Sequence, residues 1–324
     1  MNPSIIYDAI VVGAGISGVM CAKKLHDSGQ NILVVDKGRN FGGRMSTKKY
    51  SGAIFDHGAQ FFTSKTEVFK NYCNSWYDHD VIDIWFDSDL SGKSKNHHPR
   101  WFCKKGMNSL AKYIASDFEV LRSTCIEKIS RSNRCWNLRS LQGNNFKSKK
   151  LILTIPVPQI INLINDSNLI IESSIIKKFK SIEYEKGLAI LSILDGESGI
   201  IPPGVLQPKD SRIAWISDNK IKGISEVPSL TIHTNPKYAS KMFCKSAEEQ
   251  AIPILSDLHC FIKSKCIDYQ VHKWGYTTPI NYLDPKELHN KQLELYFAGD
   301  SFSGPRVENS ALSGLNAANE ILNI

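Results

Sequence analysis

One segment near the N-terminus constrains the fold more than any other: YDAIVVGAGISGVMCAKKLHDSGQNILVVDKG. Its apolar runs Ala9–Val12 and Ile32–Val35 predict two strands, and the apolar residues between them recur on one face of a helix. Gly29 is placed to end that helix. A strand, helix and strand in immediate succession predict an α/β fold built on a Rossmann-type unit.

The turn of this unit carries Gly13, Gly15 and Gly18 in the G-x-G-x-x-G spacing. Gly13 allows the tight turn, Gly15 lets the backbone approach a phosphate, and Gly18 lets the helix pack on the strand. The helix N-terminus presents free N–H groups and a positive dipole end to a pyrophosphate. Asp36, after the second strand, can accept hydrogen bonds from a ribose hydroxyl. The segment predicts dinucleotide binding but does not separate NAD from FAD.

A second glycine pair, Gly42 and Gly43, follows in DKGRNFGGRMST, between Arg39 and Arg44. NAD enzymes of the doubly wound class normally run on from the second strand into further helix and strand. Here the glycines permit close backbone approach, and the arginines offer planar donors to phosphate or to the carbonyl edge of a flavin. A ligand larger than NAD explains both features.

Seven elements of the chain resemble, in the correct order, the FAD-dependent amine-oxidase superfamily, and within it the renalase-like bacterial oxidoreductases. They are the Gly13 loop, DKGRNFGGRMST, FDHGAQFFT, RWFCKKGMNSLAKYI, LILTIPVPQ, VHKWGYTTP and YFAGDSFSGPRVENSALSGLNAA. The resemblance implies a Rossmann-type, glutathione-reductase-like FAD-binding domain with a second, sheet-based α+β substrate domain. It implies an FAD domain of residues 1–56, 100–157 and 272–324, and a substrate domain of 57–99 and 158–271.

The resemblance also implies which residues hold FAD. Arg39 and Arg44 would lie along its phosphates, Ile126 would hold the adenine through its backbone, and Asp300 would bind the ribityl chain or phosphate. The FAD is expected to be non-covalent, because no cysteine lies in the elements predicted to face the flavin ring. The expected cofactor-binding residues are Gly13, Gly15, Ile16, Ser17, Gly18, Asp36, Lys37, Arg39, Gly43, Arg44, Met45, Gly58, Ile126, Gly299, Asp300, Arg306, Val307 and Ser310.

The segment RVENSALSGLNAANEILNI predicts a C-terminal helix, because apolar residues recur at helical spacing from Ala311 to Leu322, after Asn309 or Ser310 as cap. A helix N-terminus directed at the N1–C2=O edge of a flavin would stabilise the negative charge that develops there on reduction. Family members usually have a glycine and an aromatic residue after Arg-Val-Glu, where this chain has Asn309 and Ala311. The pocket near the flavin is therefore expected to differ in shape.

The segment FDHGAQFFT supplies candidates to face the substrate. A strand here would place Gly58, Gln60 and Phe62 on one face and His57 on the other. Gly58 would let the backbone pass close to the flavin ring, and Gln60 would line the active site. The alternative for Gln60 is a plain surface amide. For His57, the pattern does not decide between a role in the active site and a purely structural one.

In VHKWGYTTP, the residues His272, Trp274 and Tyr276 share a face. An aromatic and imidazole wall could hold a flat substrate over the flavin, and ordinary sheet packing is the alternative. No order of residues typical of a Ser-His-Asp triad appears, and a flavin enzyme needs none. The expected catalytic residues are Gln60, Phe62, Trp274 and Tyr276, and no metal ligand is expected.

Composition argues against the chain being a membrane protein, a secreted protein or a nucleic-acid-binding protein. A chain of 324 residues with 42% hydrophobic residues can bury a core, and its length suggests two lobes. The longest apolar stretch, from Leu151, is too short for a membrane span, and the N-terminus lacks the basic region of a signal peptide. We expect a cytoplasmic protein with no membrane partner. No basic block interleaved with aromatics marks a nucleic-acid surface, and the net charge of +8 is a mild bias toward anionic ligands.

The glycine motifs and the resemblance together imply an FAD-dependent oxidase that takes hydride from a small reduced substrate to flavin N5 and passes electrons to dioxygen. The resemblance implies an isomeric form of reduced NAD(P)H as the substrate; an amine oxidase or desaturase acting on another small molecule is the alternative. An NAD(P)-dependent reductase would leave the GGR, AGD and RVE elements unexplained. A binding protein that has lost its flavin, as in Rab GDP dissociation inhibitors, is disfavoured by the retained phosphate loops.

Overall fold

The structure is a computed structural model that describes residues 5–87, 98–284, 288 and 292–323. The chain divides into two compact units. The first unit consists of Met1–Gly43, Leu110–Glu183 and Pro279–Ile324, and the second of Arg44–Ser109 and Tyr184–Thr278. These units differ from the expected domains at 44–56, 100–109, 158–183 and 272–278. Because a compact unit is not the same as a ligand-binding domain, the domain bounds stay a prediction.

The chain contains single strands and runs of up to four consecutive strands, separated by helices. The strands are β1 Ile6–Val12, β2 Ile32–Val35, β3 Thr47–Tyr50, β4 Ala53–Asp56, β5 Asp83–Phe86, β6 Arg100–Phe102, β7 Glu119–Leu121, β8 Ile126–Ser132, β9 Cys135–Ser140, β10 Asn145–Leu153, β11 Gly187–Leu194, β12 Val205–Leu206, β13 Ile213–Asp218, β14 Ser229–Thr234, β15 Cys266–Trp274 and β16 Leu295–Phe297. The helices are α1 Ile16–Asp27, α2 Glu67–Asp78, α3 Asn108–Ile114, α4 Val157–Asp166, α5 Ser173–Lys180, α6 Pro236–Met242, α7 Ala247–Leu255 and α8 Val307–Leu322.

The first unit is built on a sheet of order β7-β2-β1-β10-β9-β8, with β16 paired to β10. The strands β7, β2, β1, β10 and β16 run parallel, whereas β8 and β9 form an antiparallel extension. Every residue of β2 is buried, as is typical of a parallel strand that is covered on both faces. The predicted strand, helix and strand are confirmed, and Gly29 follows the end of α1 with a φ of +80°.

The second unit is built on a five-stranded sheet of order β12-β13-β14-β11-β15. One face packs beneath α7, where Ile190, Ile232 and Ile254 are fully buried. On the opposite face, Phe55 of β4 packs against Ala189 and neighbouring residues of β11. The strands that the sequence predicts within YEKGLAILSILDG, SRIAWISD and SLTIHT are present. The helix predicted near SAEEQAIPILSDLHCFI covers only Ala247–Leu255, and a separate 3-10 turn follows at Leu258–Cys260.

Two predicted elements were wrong in their bounds. The strand expected through FDHGAQFFT ends at Asp56, because the next residues bond elsewhere: the Ala59 N–H donates to the Arg44 carbonyl, and the side-chain amide of Gln60 donates to the Asp56 carbonyl. Local bonds of this kind compete with a strand ladder. The strand β15 ends at Trp274, so Tyr276 lies beyond the alternation that was expected to include it.

The fold class is as the sequence predicts: mixed α/β, with a Rossmann-type unit and a second, sheet-based unit. All eight cysteines carry free thiols. Within the residues the structure describes, no helix is both long and apolar enough to cross a membrane.

Candidate functional site

The glycine turn of the first unit lies between β1 and α1. Gly13 has a φ of +117°, a conformation open to glycine, and its N–H donates to the Val35 carbonyl at 2.8 Å. A Cβ on Gly18 would lie far closer to the Gly13 carbonyl oxygen than van der Waals contact allows. Gly18 is therefore required for packing the helix on the turn, as the motif predicts.

Gly15 faces open space. A Cβ on Gly15 would meet only the Gly42 carbonyl oxygen among the described atoms, at 4.0 Å. The first bond within α1 runs from the Val19 N–H to the Gly15 carbonyl, so the N–H groups before Val19 have no partner within the helix. The turn thus offers free N–H groups beside room that a side chain would fill, and this arrangement fits a phosphate.

The second glycine pair is bonded to this turn. The Gly42 N–H donates to the Ala14 carbonyl at 3.0 Å, and Gly15 and Gly42 form a parallel bridge. Gly43 has a φ of +53°, and a Cβ there would lie 3.4 Å from the Gly15 Cα. Both glycine loops therefore present backbone at the start of α1.

The side chain of Asp36 bonds to the backbone of both loops. Its carboxylate accepts the Ala14 N–H and the Gly38 N–H, each at 2.6 Å. Burial raises the pKa of Asp36, and the two N–H groups act in the opposite direction. Each oxygen retains a lone pair after these bonds, so the carboxylate can also accept a ribose hydroxyl.

The C-terminal element meets the glycine turn within the first unit. Thr154 lies between Gly13 and Gly299. A Cβ added to Gly13 would overlap the Thr154 hydroxyl, and a Cβ added to Gly299 would lie 3.9 Å from the Thr154 carbonyl oxygen. Gly299 has a φ of +135°, and its N–H donates to the Ser313 hydroxyl at 3.0 Å. Asp300 is buried directly after this glycine.

The helix α8 begins earlier than the sequence indicated. The cap was expected at Asn309 or Ser310, but the helix starts at Val307 with Arg306 as N-cap. The Ser310 N–H already donates to the Arg306 carbonyl, so Ser310 lies inside the helix. The N-terminal end of α8 therefore lies before Ser310.

Three other residues of the first unit that were expected to bind the cofactor have partners outside the glycine turn. The exposed Lys37 donates to Gln159 Oε1 at 3.0 Å. Arg39 is exposed, and its carbonyl accepts from Arg122 Nη1 at 2.9 Å. Ile126 begins β8 opposite Ser140. Their contacts with the cofactor stay predictions.

The hydroxyl of Ser17 adds to the fit with FAD. It is buried and has no hydrogen-bond partner among the described residues, whereas most buried polar groups are paired. Ser17 follows Gly15 in the first turn of α1, next to the free N–H groups. The room at Gly15, these N–H groups and the unpaired hydroxyl together fit the pyrophosphate of FAD.

In the second unit, the backbone passes closely at Gly58. A Cβ on Gly58 would overlap the Arg44 carbonyl oxygen, so only glycine fits. The Arg44 guanidinium donates to the Thr277 carbonyl at 3.1 Å, and Met45 is buried. The roles expected of these three residues at the cofactor stay predictions.

Three histidines and a tryptophan form a cluster in the second unit, which we call the imidazole wall: His57, His233, His272 and Trp274. The ring of His57 stacks on Trp274 at a centroid distance of 5.3 Å and contacts His272 at 4.3 Å. The indole N–H of Trp274 donates to the His57 carbonyl at 2.8 Å, and His233 Nε2 lies 3.3 Å from the same oxygen.

The imidazole wall is held neutral. Burial lowers the pKa of His57 to about 3, with smaller contributions from His272, His233 and Lys48. Burial also lowers the pKa of His233 to about 4, although its hydrogen bond to the His57 carbonyl raises it. Burial and Lys48 lower the pKa of His272. The Nδ1 atom of His57 is buried and has no partner among the described residues.

Of the four expected catalytic residues, only Trp274 belongs to this wall. Gln60 is buried, and its Oε1 accepts the Ser217 hydroxyl at 2.8 Å. Phe62 is buried against Phe69, with ring centroids 6.0 Å apart. Tyr276 contacts Tyr184 edge to face, with centroids 5.4 Å apart. The catalytic roles of all four stay predictions.

Sequence reasoning missed two features of the second unit. His233 was included in a predicted strand, and alternation along SLTIHT could have assigned it a face, but nothing indicated what that face meets. The ion pair of Lys222 with Asp56, at 2.8 Å and fully buried, left no local signal. Within the described part of the chain, no group of His, Cys, Asp or Glu side chains is arranged to hold a metal ion.

Comparisons with known proteins bear on the fold and on the cofactor. The sequence model of one protein family, the NAD(P)-binding Rossmann-like domain, matches residues 11–76. The sequence model of a second family, the flavin containing amine oxidoreductases, matches residues 88–322. Renalase of Mus musculus is 26% identical over 318 residues, which cover 91% of this chain and 92% of that protein.

Solved structures share the fold at low sequence identity. Cyclohexylamine oxidase from Brevibacterium oxydans IH-35A superposes with a TM-score of 0.73 at 14% identity, covering 98% of this chain and 99% of that one. Putrescine oxidase bound to putrescine superposes with a TM-score of 0.70 at 14% identity, covering 99% and 100%. At this identity the likeness concerns the fold alone.

Proposed function

Because the chain belongs to the flavin containing amine oxidoreductase family and is an FAD-dependent oxidoreductase, we propose that it oxidises an isomeric form of reduced NAD(P)H and passes the electrons to dioxygen. FAD, when bound, supplies the acceptor for the hydride. The residues of the chain bind the cofactor, orient the substrate and exclude water.

The observation that carries this proposal is the neutral character of the imidazole wall. With their pKa values lowered, His57 and His233 are uncharged at neutral pH. A flat, uncharged dihydropyridine ring suits a wall of neutral ring faces. Asp56, adjacent to the wall in sequence, is fully buried in its pair with Lys222 and is not available to an ammonium group.

The unpaired Nδ1 of His57 supports the same substrate. A buried ring nitrogen without a partner is rare, because the lost hydrogen bond costs about 1–3 kcal/mol. A carboxamide, such as that of a nicotinamide, has both a donor and an acceptor and can therefore pair with either tautomer of the imidazole. A simple alkyl amine in its protonated form has donors but no acceptor.

Oxidation of an amine is the second candidate, and the family match to amine oxidoreductases favours it. An ammonium group could lie against the ring faces of Trp274 and Tyr276 without a carboxylate. The isomer and the amine differ in charge, and this difference allows the two candidates to be tested side by side.

Anaerobic mixing tests the proposal. The holoenzyme is mixed with isomeric reduced dinucleotides, with ordinary NADH and NADPH, and with a panel of primary amines and polyamines, while flavin absorption is followed. The proposal predicts rapid bleaching by the isomers. Rapid bleaching by an amine, with none by the isomers, would establish the second candidate instead.

A further inference from the structure

The buried ion pair of Lys222 and Asp56 calls for a role other than stability. Nζ of Lys222 lies 2.8 Å from Oδ2 of Asp56, and neither side chain has exposed surface. Removing two charges from water carries a large cost, which the attraction between them often only offsets. In some proteins such a pair is retained because it specifies one conformation.

The partners of Lys222 exclude a direct chemical role. Its ammonium donates to Asp56 Oδ2 and, at 2.7 Å, to the Gln60 carbonyl. It also lies 4.7 Å from the centroid of the Trp85 ring, within the range of a cation–π interaction. An ammonium has three N–H donors, and these partners account for them. Lys222 therefore acts through the residues that it holds.

Asp56 is fixed from several directions within the second unit. Its Oδ1 accepts the Thr47 hydroxyl at 2.7 Å and the Met107 N–H at 2.8 Å. Its carbonyl accepts the side-chain amide of Gln60, and the other end of that amide accepts the Ser217 hydroxyl. Asp56 and Gln60 are thus tied to each other, to Lys222 and to the sheet.

The segment between these two anchors carries part of the imidazole wall. The His57 carbonyl accepts the indole N–H of Trp274, and the His57 ring stacks on the same indole. The position of both groups depends on the backbone between Asp56 and Gln60. Displacement of that backbone by 1 Å would break the hydrogen bond of 2.8 Å.

We propose that Lys222 is a positioning residue, which bonds to both ends of the segment Asp56–Gln60 and thereby holds His57 in the imidazole wall. The effect on substrate rests on the proposed function, whereas the effect on His57 does not. The charged or titratable groups that influence the pKa of His57 are His272, His233 and Lys48.

Two variants separate positioning from stability. Lys222→Met leaves the Asp56 carboxylate buried without its cation, so it lowers the melting temperature. The double variant Lys222→Met/Asp56→Asn removes the unpaired charge and restores much of that loss, but the Gln60 carbonyl still lacks its donor. The control is Lys220→Met, which removes an exposed pair with Glu197, at 3.0 Å, from the same loop.

For the holoenzyme double variant, we expect unchanged flavin content, a KM for the dinucleotide isomer raised at least tenfold, and a smaller change in kcat. Lys220→Met should match the wild type in all three. A melting temperature and a KM that recover together in the double variant would mean that the pair is only structural. Failure of both Lys222 variants to fold would have the same meaning and would overturn the proposal.

Hydrogen exchange at the histidine C2–H, followed by mass spectrometry, tests the effect on His57 without turnover. We expect slow exchange at His57 in the wild type and in Lys220→Met, and at least tenfold faster exchange in the double variant. Unchanged exchange at His57 would overturn the positioning role. If the wild type oxidises no dinucleotide isomer, the proposed function fails, and this exchange measurement still decides the role of Lys222.

Discussion

Gly15 and Gly42 form an isolated parallel β-bridge that joins the two glycine loops of the first unit. The bridge explains why a second glycine pair follows β2. The backbone at Gly42 bonds to the turn between β1 and α1, and side chains on the second loop would fill the space beside that turn. The start of α1 therefore presents one backbone surface made from two loops. This surface fits the pyrophosphate of FAD.

Gly15→Val should give folded protein that is poor in flavin. Gly15 has a φ of −73°, which valine can adopt, and the nearest described atom would lie 4.0 Å from its Cβ. The valine would instead occupy the room assigned to the phosphates. Flavin absorption per mole of purified protein measures the loss. Full flavin occupancy in this variant would show that the cofactor binds elsewhere. Gly196→Val, in a loop of the second unit, should keep its flavin.

Gly18→Ala should instead destabilise the protein. The new Cβ would overlap the Gly13 carbonyl oxygen, which is a backbone atom and cannot simply rotate away. Overpacking against backbone should lower the free energy of unfolding by about 3 kcal/mol or more. The thermal unfolding of the flavin-free protein measures this change. A melting temperature equal to that of the wild type would contradict the close packing of α1 on the turn.

Acidification should destabilise the second unit through the imidazole wall. The pKa of His57 is about 3 in the folded state, below the ordinary value of 6.5, so the unfolded state binds more protons between these pH values. The stabilisation is complete above pH 6.5 and is lost as the pH falls toward 3. Each pH unit in this window costs at most about 1.4 kcal/mol per such histidine.

The matched variants are His57→Gln, which removes a buried imidazole, and His259→Gln, which removes an exposed one. The melting temperature of each is compared with that of the wild type from pH 7.5 to 4.5. His57→Gln should show a shallower decline than the wild type, and His259→Gln should follow the wild type. Parallel declines in all three proteins would show that His57 is not held neutral.

Trp274→Phe should weaken substrate binding while FAD remains bound. Phenylalanine retains a ring beside His57 but loses the N–H donated to the His57 carbonyl. Substrate binding must then order the loosened ring, and a cost of about 1 kcal/mol for that ordering corresponds to a KM raised roughly fivefold. Trp136→Phe removes a similar indole bond, to the Leu293 carbonyl in the first unit, and should leave the KM unchanged. If Trp274→Phe and Trp136→Phe both kept the KM of the wild type, Trp274 would have no role in binding the substrate.

The first unit could be predicted in detail because its signals are local. The glycine spacing and the apolar runs of β1 and β2 lie within one short segment. The bounds of β2 and the end of β1 follow from them, whereas β1 begins at Ile6, before the apolar run that starts at Ala9. The start of α8 could not be predicted from cap preference alone. Arg306 is extended after Pro305 and accepts the first helical bond, so Asn309 and Ser310 are inside the helix.

The wall of the second unit could be predicted only in part. Alternation along β15 correctly grouped His272 with Trp274, whose rings lie 4.5 Å apart. Lys222 and Asp56 are separated by 166 positions, and their pairing depends on how the chain returns to the sheet. The bonds made by Gln60 depend in the same way on Ser217. Local pattern carries no information on such long-range contacts.

The most direct measurement of the proposed function is a single turnover followed by exposure to oxygen. The holoenzyme is reduced anaerobically by one equivalent of an isomeric reduced dinucleotide, the nucleotide product is identified, and peroxide is measured after oxygen is admitted. We expect NAD⁺ or NADP⁺ in amounts equal to the flavin reduced, and then an equal amount of hydrogen peroxide. Flavin that stays oxidised with every isomer, but is reduced by an amine with formation of an imine or aldehyde, would contradict the proposed function.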